Sequence, residues 1–180
     1  MCLAVCPAVS ASAASPATGY RLLPAASSLT FSFTQAGAVN RGRFRSFSVS
    51  FDPATGRLTA VIDMRSTDTG DAQRNGILAG KEFFAVTRYP QARFTADRLT
   101  KTAAGFQAIG TLTIRGVTRT VVVPFTWRVG QAGGRQVGML AGEMTIRRLD
   151  FGVGRGQWRS TEWVGNTVTV HYALELTPVG

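Results

Sequence analysis

The chain has 180 residues, 20 Lys+Arg against 10 Asp+Glu, a net charge of +10, and 44% hydrophobic residues. That length suits one domain with a sizeable core, and that apolar content excludes an intrinsically disordered chain. After the N-terminus no run of 18 apolar residues occurs, which excludes a membrane-spanning helix in the body, and one histidine, His171, with two early cysteines leaves little material for a metal or haem site.

Met1 to Tyr20 carries no charged side chain. Leu3-Ala4-Val5 and Val9 form a short apolar run, and Ala11-Ser12-Ala13 and Ser12-Ala13-Ala14 are small-x-small patterns. Residues 1–19 therefore read as the remnant of a secretory signal peptide cut near Ala13 or Ala14, or as a disordered Ala/Ser-rich tail. The first reading predicts a periplasmic or secreted protein. Cys2 and Cys6 both lie in this segment, so cleavage would leave no cysteine for disulfide or thiolate chemistry. Residues 20–180 read as one domain.

From there the dominant signal is alternation with period two, the mark of half-buried strands. Leu29, Phe31 and Phe33 share one face, as do Phe47, Val49 and Phe51. Phe44 is out of phase with Phe47, which predicts a bulge or bend near Arg45. Asp52-Pro53-Ala54-Thr55-Gly56 is a turn. Leu58, Ala60, Ile62 and Met64 form the next face. The pattern then breaks between Asp71 and Thr87, which predicts one or two short helical turns with Asp71 as a cap. Phe94 and Ala96 resume it, followed by Phe106 to Ile114, a tight hairpin at Arg115-Gly116, and Val121 to Val129. Pro124 points to an edge, bulge or bend. Gly130 to Gly134 is a looser hairpin loop, Gly152 to Gly165 is a Gly-rich loop holding Trp158 and Trp163, and Val168 to Leu176 closes the series. Eight or so antiparallel strands predict an all-β barrel or sandwich, and because closure removes exposed strand edges, a barrel is favoured for an exported monomer.

The basic residues are 18 Arg and 2 Lys, scattered along the chain. Nucleic-acid binding needs a continuous basic surface with stacking aromatics, and here the aromatics sit at core spacing instead. The arginines read as a solvated basic face, or as attraction to anionic lipid head groups or a phosphorylated ligand.

Several segments, in fixed order, resemble the YceI-like family: Gly42 to Phe47, Phe51 to Pro53, Ser66 to Gly70, Lys81 to Pro90, Phe94 to Leu99, Gly110 to Arg119 and Arg147 to Gly154. The resemblance covers about Tyr20 to Leu176. It implies an extended, eight-stranded lipocalin-like barrel with a short helical segment. It also implies an apolar tunnel holding a polyisoprenoid or similar amphiphile, and a periplasmic or secreted protein, often a homodimer. Two departures stand out: Gln35-Ala36-Gly37 replaces a histidine common in the family, and Arg74-Asn75-Gly76-Ile77-Leu78 replaces an Arg-Asp pair followed by His-Leu. Polar groups for a ligand head are thus partly missing.

The expected tunnel lining is Phe31, Phe33, Phe47, Val49, Ile62, Met64, Phe94, Leu112, Ile114, Val121, Val123, Phe125, Trp127 and Met139, with Phe83 and Phe84 plugging one end. No metal, cofactor or catalytic residue is expected. Asp68 and Asp71 read as turn and helix caps before they read as an acid–base pair. The expected function is an exported carrier of an isoprenoid lipid or quinone, with membrane-surface contact and no nucleic acid. The alternative is a cell-envelope structural or interaction module with a filled barrel, for which a membrane redox protein is one conceivable partner.

Overall fold

The structure, a computed structural model, describes residues 19–179. The signal-peptide reading thus concerns residues that, Gly19 apart, lie outside the described ones. The alternating runs form strands β1 (Gly19–Leu22), β2 (Ser28–Gln35), β3 (Ala38–Phe44), β4 (Phe47–Asp52), β5 (Arg57–Asp63), β6 (Thr67–Asp68), β7 (Gln91–Thr102), β8 (Gly105–Ile114), β9 (Val117–Ala132), β10 (Arg135–Arg147) and β11 (Val164–Val179). The break in the pattern holds the helix α1 (Ala72–Ala79), capped by Asp71, whose carboxylate accepts from the Arg74 N–H.

Eight of these strands close into an antiparallel barrel in the order β1-β4-β5-β7-β8-β9-β10-β11, and β11 pairs back to β1. The short β1 is the closing stave. Tyr20 pairs with Phe51 on one side, and Gly19 to Leu22 pair with Val179 to Leu176 on the other. β11 is long enough to serve two partners: its C-terminal part pairs β1, and its N-terminal part pairs β2, which carries β3 and β6 beyond the ring. We call the β1 end lower and the Arg115-Gly116 end upper. Two excursions of the chain, residues 64–90 and 148–163, lie over the upper end.

The local irregularities have local causes. Phe44 and Phe47 belong to separate strands, with Arg45 and Ser46 at the corner between them. A shift of register between Ala96 and Arg98 moves the inner face from Ala96 to Leu99. β9 keeps β8 as a partner along Phe125 to Val117 but meets β10 only from Thr126 downward. Pro124 stands at that fork, where its missing N–H costs no ladder bond. Its carbonyl accepts instead from the Tyr172 hydroxyl.

Three surface carboxylates tie turns together. Asp52 accepts from the Thr55 hydroxyl (2.7 Å) and from the Ala54 and Thr55 N–H groups, and Asp63 binds the Arg65 guanidinium (2.8 and 2.9 Å). Asp68 accepts from the Gly70 N–H (3.0 Å), Arg45 (2.7 Å) and Arg43 (3.0 Å). These contacts, in each case the first named for Asp68 and the side-chain partner for the others, hold all three carboxyls below their ordinary range. Their folded-state values lie below an unfolded value of about 3.9, so the stabilisation is present above about pH 4 and is lost as pH falls through the folded values. Urea midpoints measured from about pH 6 to pH 2 should hold steady and then fall below about pH 4. A midpoint unchanged to pH 2 would overturn this account.

Candidate functional site

Inward side chains do not fill the barrel. They leave a cavity of about 220 Å³ in its upper half, reaching from Leu140 and Leu174 up to Gln35 and Val164. Strands β2, β4, β5, β7, β8, β10 and β11 present alternate residues to it, and β3 and β9 one each. Phe31 and Phe33 come from β2, Phe47 and Val49 from β4, Ile62 from β5 with Met64 just after it, Phe94 from β7, Leu112 and Ile114 from β8, and Val123 from β9. Phe83 and Phe84, on the excursion after α1, also line it. The Phe31 ring lies 5.0 Å from that of Phe44 and covers Gly42, where a Cβ would collide with it.

Four of the expected lining residues stand elsewhere. Phe125 and Trp127 have the inward parity but sit too low. Trp127 meets Tyr20 (centroids 4.9 Å) and Phe51 (4.8 Å) edge-on, and Phe125 meets Phe51 (5.6 Å) and stacks on Phe106 (5.7 Å). These rings plug the lower end, while Phe83 and Phe84, expected at one end of the tunnel, sit on the excursion over the upper end. Val121 packs half-buried against the core. Met139 is 43% exposed and faces outward opposite Glu175, because Val137 to Ala141 is apolar on both parities and polarity cannot set its phase.

Sequence reasoning passed over the β10 and β11 wall: Leu140, Met144 and Ile146, with Val168, Val170, Tyr172 and Leu174 opposite. The alternation of β11 was the available signal. It also passed over two buried arginines, which it read as surface charge. Arg148 is 4% exposed and donates only to main-chain carbonyls: Val164 (2.7 Å), Val153 (2.9 Å), Gly165 (2.9 Å) and Ser160 (3.3 Å). The cause is a register shift between Val164 and Val168 that frees carbonyls from the β11–β2 ladder. A guanidinium, with five donors in a planar fork, satisfies them together. Its burial pulls its pKa down from the ordinary arginine value, yet arginine stays charged in proteins.

Polar side chains on the cavity wall are few. Arg148 is engaged as described, and the Tyr172 hydroxyl donates to Pro124. Burial, and then the charge of Glu143, push the Tyr172 pKa upward, so the phenol is neutral at ordinary pH. Gln35 and Arg74 lie at the upper end, beside the partly exposed Ile77 of α1. Asp68 and Asp71 are engaged in the turn and cap contacts given above, and His171 pairs across strands with Glu143 (3.0 Å) on the outer face. Trp158 turns inward onto Phe83 (5.3 Å), whereas Trp163 is 67% exposed. Among the described residues no cluster of three or more His, Cys, Asp or Glu side chains with metal-site geometry occurs.

Comparisons with known proteins agree with this architecture. A family model described as the YceI-like domain matches residues 20–176. The UPF0312 protein YE1254 of Yersinia enterocolitica is 39% identical over 87 residues, which span 46% of this chain and 45% of that relative. Among solved structures, Burkholderia cenocepacia BcnA superposes with a TM-score of 0.76 at 34% identity, over 86% of this chain and 98% of its own. A Saccharophagus degradans domain described as polyisoprenoid binding shares the fold at TM-score 0.69 and 21% identity, covering 89% of this chain and 98% of that domain. The Campylobacter jejuni YCEI protein gives 0.66 at 25% identity, over 74% and 82% of the two chains.

Proposed function

The chain belongs to the YceI-like family, and on that premise we propose that it is an exported carrier that holds an isoprenoid lipid, or the tail of an isoprenoid quinone, in its barrel. The observation that carries this reading is the apolar cavity of about 220 Å³. A cavity walled by Phe, Leu, Ile, Val and Met stays dry and accepts apolar guests. Apolar side chains that line an unfilled space forgo the packing contacts of a filled core. A barrel serving only as a scaffold gains nothing from that gap, which favours the carrier over a filled interaction module.

The chemistry asked of the protein is desolvation. Burial is worth about 0.8 kcal/mol per methylene, so a five-carbon isoprene unit contributes roughly 3–4 kcal/mol when it leaves water. The cavity lies just below the ~300–1,000 Å³ of ordinary small-molecule pockets, which suits a slender chain better than a fused ring system. A short stretch of tail fills it, and a longer one leaves by the upper end past Gln35, Arg74 and Ile77. Binding is reversible and no covalent step is involved.

Protein recovered from the periplasmic fraction of its own host should release an isoprenoid on organic extraction, identified by mass spectrometry. Reloading the stripped protein with a prenol at about a hundred times its Kd should add about 2.7 kcal/mol, or raise Tm by about 5–10 °C. Absence of any extractable lipid together with an unchanged Tm on reloading would overturn the proposal.

A further inference from the structure

A second pocket, of about 320 Å³, lies on the outer side of the excursion that carries Phe83 and Phe84. Its chemistry is the opposite of the tunnel's. Lys81, Arg88, Arg115 and Arg155 all line it, with Thr87 and Tyr89 beside them. Among the described residues, none of these four cations has a carboxylate within 4.0 Å. The nearest acidic neighbour in sequence, Glu82, has its carboxylate beside Gly156 and is not part of the pocket wall.

The pocket is held together with some rigour. Arg115 is 8% exposed and sits at φ +52°, a left-handed backbone that a non-glycine residue adopts at a cost. Its guanidinium donates to the carbonyls of Gly152 (3.2 Å) and Lys81, which joins the β8–β9 hairpin to both upper excursions. Its buried Nε has no hydrogen-bond partner. The Glu82 carbonyl accepts from the Gly154 and Arg155 N–H groups, both at 2.8 Å, which fixes the excursions against each other. Burial, and then the positive charges of Arg155 and Arg88, depress the Arg115 pKa, the expected result of like charges gathered without a counter-ion.

We infer that this pocket is an anion site for a phosphate-class ligand, a diphosphate above all, with a lining that shares no residue with the apolar tunnel's. Four cations ask for more than the single charge of a carboxylate. Guanidinium groups match phosphoryl oxygens in pairs, and hydroxyls such as those of Thr87 and Tyr89 add donors. The anion comes from a lipid head group or from free phosphate, since the excursion that forms this pocket also forms part of the tunnel wall.

The test is calorimetric titration of the full chain with inorganic pyrophosphate at physiological ionic strength. The expected result is saturable one-to-one binding, weakened at least about tenfold in Arg88→Gln and in Arg155→Gln, and unchanged in Arg128→Gln, which removes the same charge from the outside of β9. No saturable binding, or equal weakening in Arg128→Gln, would overturn the site, the latter by tracing the effect to net charge. A second arm identifies the source. Farnesyl diphosphate binding tighter than pyrophosphate, with the gain lost when the tunnel is filled by Ala60→Phe, supports the site as the seat of a lipid head. Equal affinity of the two supports it as a free-anion site.

Discussion

Replacing Arg148 with methionine is expected to destabilise the protein by about 3–5 kcal/mol, read as a fall in the urea midpoint. The methionine fills a similar volume but donates nothing. Four carbonyls lose their donor, and those of Val153 and Val164 are held in fully buried bonds. Each buried acceptor left unsatisfied costs about 1–3 kcal/mol. Arg148→Lys should fall between, since an ammonium carries charge but cannot reach four carbonyls from one planar fork. The same bonds hold Val153 and Val164 in the tunnel wall, so the methionine variant should also bind prenol more weakly. A loss below about 1 kcal/mol would mean that water replaces the guanidinium and that the clamp is dispensable.

Ala60→Phe is expected to weaken prenol binding about 50-fold while leaving the fold intact. Ala60 lies on the tunnel wall between Val49 and Phe94 in neighbouring strands. A phenyl ring there displaces roughly three methylene groups of ligand, about 2.4 kcal/mol, which is close to 50-fold in Kd. Overpacking penalties arise where no space exists, and here the ring enters an existing void, so stability should change by no more than about 1 kcal/mol. Met139→Ala, on the outer face, should change neither quantity by more than about 0.5 kcal/mol. Prenol binding by Ala60→Phe at the strength of the unaltered protein, measured by calorimetry, would show that the ligand lies elsewhere.

The strands and their inner faces were legible in the sequence because inward and outward residues differ in polarity along most of them, whereas that pattern alone left barrel and sandwich open and the family resemblance decided between them. Phe47, Val49 and Phe51 against Ser46, Ser48 and Ser50 leave one choice of face. What periodicity does not carry is depth. Phe125 and Trp127 share their parity with Val123, yet only Val123 reaches the cavity; a face is a local property, whereas height along the axis depends on the stagger of all eight strands. Met139 shows the other limit, a run apolar on both sides. The buried arginines were least legible. Their partners are carbonyls, which every residue has, and these were freed by a register shift and by loop paths that no side chain announces. Arg148 and its exposed neighbour Arg147 look the same in sequence.

The stave Gly19–Leu22 ties one end of the described chain to the other, since Gly19 meets Val179 and Leu22 meets Leu176. Contacts so distant in sequence carry the largest loop-closure entropy and are the slowest to form. During synthesis this N-terminal stretch waits for the final strand to emerge. Until it docks, the sheet has an open seam and Tyr20 is missing from the aromatic floor. The lower wall of the barrel is therefore completed last, by one docking event between the two ends of the described chain.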